Sequence, residues 1–177
     1  AYQRYMDFMN LKDDENLYHG RALSSGVTSL TAEQAAVEFD GERVLDGADV
    51  SLEAGKTYAV VGKSGAGKST LIKTLLGLIK TDRGAVRVNG SDIHKLRLDS
   101  LYRQVAYVSQ EPPVFDGTVR ENLIFDQEIP EQELRRALES VGLSEKIASM
   151  EQGLDTRIGE KGVMLSGGEK QKLAIAR

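Results

Sequence analysis

The sequence predicts an α/β fold in which helices flank a largely parallel sheet. From about residue 34 onward, short apolar strand patterns alternate with helical patterns. In addition, glycines cluster near residues 62–67 and 159–168, and each cluster leads directly into a helical pattern. The 177 residues are enough for one domain with a buried core, with room for a short arm.

The N-terminal third predicts an arm followed by an antiparallel sheet. Residues 1–17 have the pattern of a polar helix, and residues 18–31 (YHGRALSSGVTSLT) have the composition of a linker. Beyond them, AAVEF and VLDGADVSLEAG predict the strands of a small, curled antiparallel sheet.

The middle of the chain predicts the core sheet. TYAVVG (57–62) is a short apolar run of the kind found in fully buried parallel strands, and LIKTLLGLI after it has helical periodicity. AVRVNG and VAYVS (105–109) predict two further strands.

Capping signals mark the later helices. Pro130 at the first position and Gly142 just past the end delimit a helix over EQELRRALESVG. Ser166 and Glu169 form an S-x-x-E capping box that begins the last helix. The run Leu123–Asp126 resembles an apolar strand ending in a carboxylate, but only three apolar residues precede the aspartate, so we predict the end of a helix there.

Composition excludes several function classes. The formal charge of −4 gives no general attraction for nucleic acid. The absence of cysteine excludes disulfides, Cys-ligated zinc and a thiol nucleophile, and two histidines exclude a multi-His metal site. Every apolar run is far shorter than the roughly 18 residues of a membrane-spanning helix, so we expect this chain itself to be soluble.

The segment from Gly62 to Ser69 fits the phosphate-loop pattern G-x-x-x-x-G-K-[ST], after an apolar strand and before a helix. Glycines let successive backbone N–H groups surround a β-phosphate, and the helix N-terminus adds positive potential. Lys68 would bridge the β- and γ-phosphates of ATP, and the Ser69 hydroxyl would bind Mg²⁺. A chance glycine-rich turn is the weaker alternative. The predicted nucleotide-binding residues are Gly62, Lys63, Ser64, Gly65, Ala66, Gly67, Lys68, Ser69 and Thr70.

A second glycine loop, LSGGEKQ (165–171), opens onto another helix N-terminus. Its exposed amides and the Ser166 hydroxyl form a second phosphate-sized anion site. Taken alone, the loop is equally well explained as a capped helix start.

Together, the two loops resemble the nucleotide-binding domain of ATP-binding-cassette (ABC) transporters. LSGGEKQ is similar to that family's signature motif and follows the phosphate loop at the family's spacing of about a hundred residues. The resemblance implies a P-loop NTPase core with a small antiparallel N-terminal sheet and a helical subdomain near 111–165. It also implies a head-to-tail pair of such domains, in which Ser166, Gly167, Gly168 and Glu169 contact the ATP of the opposite subunit.

Further residues follow from the resemblance. Gln110 matches the glutamine that reaches toward Mg²⁺ and the attacking water, and its flanking residues are implied to touch the membrane domain. The following segment FDGTVRENL is typical of exporters. TRIGEKG (156–162) resembles the exporter loop TEVGERG, retaining Glu160 but carrying Arg157 in place of the first glutamate. Phe39 is the candidate for stacking on adenine, with a core strand aromatic as its alternative.

The family's buried strand ending in Asp-Glu and its switch histidine come after the signature helix, beyond Arg177. His19 and His94 both precede the signature loop, so neither fits the switch position. We therefore regard the C-terminal part of the domain as missing, and expect the 177-residue chain alone to be inactive.

The resulting prediction is the ATP-binding domain of an ABC exporter subunit, acting as an ATPase at the cytoplasmic face of a membrane. Residues 1–31 would be an arm that follows a membrane domain, and 32–177 an incomplete nucleotide-binding domain. The alternatives are a soluble ABC ATPase of repair or translation, a nucleotide-binding fragment without hydrolytic activity, and a small-molecule kinase, which would leave LSGGEKQ unexplained.

Overall fold

The structure, a computed structural model, describes residues 15–125, 127–160 and 162–177. The predicted helix over 1–17 therefore lies mostly outside the described residues. The α-helices are α1 (Glu15–Tyr18), α2 (Lys68–Leu75), α3 (Leu98–Tyr102), α4 (Val119–Ile124), α5 (Glu131–Ser140), α6 (Ser144–Ala148) and α7 (Gly167–Ala176). The strands are β1 (Ser29–Phe39), β2 (Glu42–Glu53), β3 (Arg83–Val88), β4 (Ser91–Asp92), β5 (Gly117–Thr118) and β6 (Arg157–Ile158).

The chain divides into two compact units, residues 1–106 and 107–177. The first is built on a four-stranded sheet in the order β2-β1-β3-β4, with every neighbouring pair antiparallel. This confirms the small antiparallel sheet predicted near the N-terminus.

Irregular register curls this sheet. The pairing of β1 with β2 shifts between Ala32 and Ala35, where Gln34 has a left-handed backbone with φ 47°. Asp49 stabilises this bulge by accepting a 2.8 Å hydrogen bond from the Gln34 N–H. At Gly84 of β3, a Cβ would come within 2.3 Å of the Gln34 carbonyl oxygen, so only glycine permits the close approach of the two strands there.

Two strands predicted for the core sheet are not formed in the described residues. TYAVVG (57–62) and VAYVS (105–109) carry no strand assignment, and both pairings of β3 are antiparallel. An apolar strand is buried only when neighbours cover its faces and pair with its backbone. No described strand pairs with either segment, and most of the side chains are exposed, Val61 to 87%, although Val105 packs beside the core.

The segment predicted as a linker is docked on the first unit. The Leu23 N–H donates to Ser100 Oγ (2.9 Å) and the Val27 N–H to Gln104 Oε1 (3.1 Å). Both residues pack beside the buried core, and β1 already begins at Ser29. The core itself comprises Ala32, Ala35, Leu75, Val86, Val88, Ile93, Leu96, Leu98 and Leu101.

The second unit is mainly helical, as predicted for 111–165. Strands β5 and β6 form a two-stranded ribbon, and α4 to α7 contribute to one apolar core. Its buried members are Val119, Leu123, Leu134, Leu138, Leu143, Ile147, Leu154, Ile158, Leu165 and Leu173.

The helix ends agree closely with the sequence signals. Pro130 is the N-cap of α5, one position earlier than predicted, and Gly142 lies two residues past its end with φ 65°. Helix α4 ends at Ile124, and Phe125 follows in the left-handed conformation, which confirms a helix end at this point. Asp126 lies outside the described residues. No helix in the described ranges is long and apolar enough to cross a bilayer.

Candidate nucleotide-binding site

The phosphate loop is shaped by two glycines with left-handed backbones, Gly65 (φ 79°) and Gly67 (φ 77°). The Ala66 N–H bonds to the Lys63 carbonyl over 3.2 Å and closes a tight turn between them. Gly67 also approaches β2 closely, because a Cβ there would lie 2.7 Å from the Val44 carbonyl oxygen. The loop is thereby held directly against β2.

The N-terminus of α2, which follows this loop, has no negative group to balance its dipole. Its N-cap is Gly67, which offers no side-chain hydrogen bond, and its first turn contains no acidic residue. In every other described α-helix of five or more residues, the first turn contains Asp or Glu. The loop therefore presents an electropositive helix end that suits an anion, and phosphate above all.

Lys68 folds back over the loop. Its ammonium donates to the carbonyl oxygens of Gly62 (2.9 Å) and Lys63 (2.6 Å). An ammonium has three N–H donors, so the third remains for a phosphate oxygen without loss of the other two contacts. Residues 56–66 are all exposed, which leaves the loop accessible to a ligand.

The neighbouring predicted residues lie on the first unit as well. Ser69 is an exposed residue in the first turn of α2, and the Thr70 carbonyl accepts a hydrogen bond from Thr74 Oγ1 (2.8 Å). Phe39 ends β1 opposite Glu42 and is 47% exposed. Its ring is therefore available at the surface and is not the core strand aromatic that we kept as the alternative.

The signature loop lies in the second unit and begins α7 as the capping box predicts. Glu169 N–H donates to Ser166 Oγ (3.3 Å), and Ser166 N–H donates to Glu169 Oε2 (2.8 Å). The backbone N–H of Ser166, followed by its side-chain bond, lowers the pKa of the Glu169 carboxyl, with a smaller contribution from Lys146 at 3.6 Å.

Gly167 and Gly168 have open space around them. A Cβ built at either position would meet no atom within 4 Å, and neither has a positive φ. The packing of the described residues thus places no steric demand for glycine there. The backbone amides at the N-terminus of this helix are therefore not covered by side chains, and a ligand can approach them closely.

Gln110 lies beside the signature helix. Its carbonyl accepts a 3.1 Å hydrogen bond from Gln171 Nε2, and its side chain is exposed. A depression of about 300 Å³ lies between them, lined by Gln110, Glu111, Pro112, Gly167, Lys170 and Gln171. The second unit therefore brings Gln110 and the signature loop to one surface.

A second depression of about 270 Å³ adjoins the first and shares Pro112 and Lys170 with it. Its lining also includes Glu160 and the exposed Met164. The loop that resembles the exporter segment thus lies beside the residues that follow Gln110.

Sequence reasoning missed Asn122, which is only 1% exposed. Its Oδ1 accepts from the Phe115 N–H (2.8 Å), and its Nδ2 donates to the carbonyls of Phe115 (2.8 Å) and Thr118 (3.0 Å). The sequence feature that could have identified it is an asparagine at a core-facing position of a short helix. A buried amide needs hydrogen-bond partners for both its oxygen and its nitrogen.

These features are those of a nucleotide-binding domain with a phosphate loop. The family model described as "ABC transporter" matches residues 45–177, and the chain belongs to that family. The fold is accordingly that of the nucleotide-binding domain of ABC exporters.

Two curated relatives illustrate the similarity. The chain is 38% identical over 156 residues to the mitochondrial iron-sulfur clusters transporter ATM1 of Candida glabrata, covering 87% of this chain and 22% of that protein. It is 43% identical over 136 residues to the ATP-dependent lipid A-core flippase of Nitrosococcus oceani, covering 76% and 23% respectively. The chain thus spans about a quarter of the length of these relatives.

Among solved structures, the chain resembles a bacterial Atm1-family ABC exporter with ATP bound. The match has a TM-score of 0.85 at 30% identity and covers 99% of this chain and 32% of that one.

Proposed function

We propose that this chain is the ATP-binding part of an ABC exporter subunit that couples ATP binding and hydrolysis to transport across a membrane. The observation that carries the proposal is the phosphate loop, which leads into a helix whose N-terminus has no acidic or capping side chain. The similarity to the solved structure of an Atm1-family ABC exporter supports the assignment to exporters.

In this proposal, the phosphate loop binds ATP. The amides of residues 62–70 donate to the β-phosphate, the third N–H of Lys68 donates to the γ-phosphate, and Phe39 stacks on adenine. The exposed Ser69 hydroxyl and the Gln110 side-chain carbonyl are oxygen ligands of the kind that Mg²⁺ accepts. Gln110 also orients the attacking water.

The ATP is shared between two copies of the domain arranged head to tail. Ser166, Gly167, Gly168 and Glu169 of one copy contact the γ-phosphate bound by the phosphate loop of the other. The open space around both glycines supports this arrangement, since the chain's own packing does not fill it.

Contact with the membrane domain is assigned to the second unit. The two adjoining depressions bring the residues after Gln110 together with the Glu160 loop, and they offer apolar and charged side chains side by side. Residues 1–31 form the arm that follows the membrane domain, and residues 32–177 belong to the nucleotide-binding domain, at the cytoplasmic face of the membrane.

Substitution of Lys68 tests the assignment. Lys68→Ala removes the side-chain cation from the phosphates, and charge-assisted contacts of this kind contribute roughly 1.5–3 kcal/mol each. We expect ATP affinity, measured by titration calorimetry, to fall by about tenfold or more. Lys56→Ala is the matched control, because Lys56 pairs with Glu53 outside the loop. Unchanged affinity in folded Lys68→Ala protein would refute the assignment.

A further inference from the structure

Helix α7 is held in place at Arg177, eleven residues after Ser166. The guanidinium carbon lies 4.9 Å from the centroid of the Phe125 ring and 5.6 Å from that of Phe115. The two rings meet edge to face, with centroids 5.4 Å apart. A cation within about 6 Å of an aromatic face is attracted by the ring quadrupole, so both rings hold the side chain.

Hydrogen bonds fix the orientation of the same guanidinium. Arg177 Nε donates to the Asn122 carbonyl (2.7 Å), and Nη2 donates to Asn122 Oδ1 (3.0 Å). Since the buried Asn122 amide is also bonded to Phe115 and Thr118, the arginine joins a satisfied, partly buried network. Burial lowers the pKa of Arg177, but a guanidinium stays charged at neutral pH.

Helix α7 connects this anchor to the signature loop. Its ten residues span about 15 Å, with Ser166 at the N-cap, Arg177 at the C-cap and the fully buried Leu173 between them. With Leu173 as a pivot, a tilt of the helix that releases Arg177 displaces the signature loop. A displacement of about 1 Å is enough to reduce the rate of a positioned reaction by about a hundredfold.

We infer that Arg177 is a positioning residue: it sets the tilt of α7 and thereby places Ser166 and Gly168 against the ATP bound by the opposite subunit. This inference rests on the proposed function, because it requires the shared ATP site. It assigns Arg177 a role in the opposite site and none in the phosphate loop of its own chain.

The experiment compares two arrangements of the same substitutions in a tandem fusion of two full-length subunits. In the first, Arg177→Ala and Lys68→Ala lie in one subunit, so each shared ATP site carries one lesion. In the second, they lie in different subunits, so both lesions fall in one site and the other is intact. ATP retained after rapid gel filtration is measured in both, relative to a fusion with Lys68→Ala alone.

We expect the second arrangement to retain as much ATP as Lys68→Ala alone, and the first to retain at least tenfold less. A purely structural role of Arg177 would lower ATP retention in the second arrangement at least as much as in the first, because the subunit without Arg177→Ala then carries Lys68→Ala. Arg177→Lys, which keeps the cation near the rings but loses the paired hydrogen bonds, should restore part of the retention in the first arrangement.

The same pair of fusions with Ser166→Arg in place of Arg177→Ala separates the two hypotheses. If the amount of ATP retained depends on the arrangement for Ser166→Arg but not for Arg177→Ala, the positioning role of Arg177 is overturned and the shared site stands. If Ser166→Arg shows no dependence either, the shared site itself is wrong, and the role of Arg177 falls with it.

Discussion

At the residue scale, Gly65 and Gly67 have the same left-handed backbone but different surroundings. An added Cβ at Gly65 meets nothing within 4 Å, whereas at Gly67 it lies 2.7 Å from the Val44 carbonyl oxygen and 3.0 Å from Leu45 Cδ2. The phosphate-loop motif requires glycine at position 67 but allows any residue at position 65. The structure gives the reason for the glycine at 67: the loop packs directly against β2 there.

Substitution of Gly65 and of Gly67 by alanine, compared with each other, tests this packing. Gly65→Ala should cost only the strain of a left-handed alanine, about 1–2 kcal/mol. Gly67→Ala should cost clearly more, because the loop must also move away from β2. The measurement is the free energy of unfolding of each variant in urea. Equal destabilisation by the two substitutions would show that the contact between the loop and β2 contributes nothing.

At the element scale, α2 and α7 both present an N-terminus to a glycine loop, but the charge at each differs. Helix α2 has no acidic residue in its first turn, whereas α7 carries Glu169 in a capping box. The sequence predicted this box and the ends of α4 and α5, because caps act through residues three or four positions apart. It did not predict that TYAVVG forms no strand, because the burial of a strand depends on neighbours distant in the chain.

The Glu169 carboxylate predicts a pH dependence of stability. Its pKa is lowered in the folded state from an ordinary value of about 4.5, so its stabilising effect is present above that value. The effect is lost as the pH falls through the lowered pKa. Glu169→Gln should therefore reduce stability at pH 7 by about 0.5–1 kcal/mol, and the difference from the unsubstituted chain should vanish in acid. Denaturation curves from pH 7 to 3 measure it, and a constant difference would contradict the ionic contribution.

At the scale of the whole molecule, the predicted site residues are distributed over both units. Residues up to 106 carry the phosphate loop and Phe39, and residues from 107 carry Gln110 and the signature loop. The two sequence motifs were enough to predict the two loops, but they did not predict a boundary between units at residue 106. The network of Asn122 and Arg177 could not be predicted, because it joins residues 55 positions apart through an amide and two rings.

In the proposed function, ATP is held by the phosphate loop of one chain and the signature loop of another. The most direct measurement places Ser166→Arg in the full-length subunit and records ATP binding by the isolated subunit and ATP-dependent pairing of subunits. Ser149→Arg, which adds the same charge at an exposed position of the second unit, is the control. We predict that Ser166→Arg leaves ATP binding by the isolated subunit intact and abolishes pairing, while the control changes neither. Loss of ATP binding by the isolated subunit, or normal pairing of the Ser166→Arg subunits, would contradict the claim.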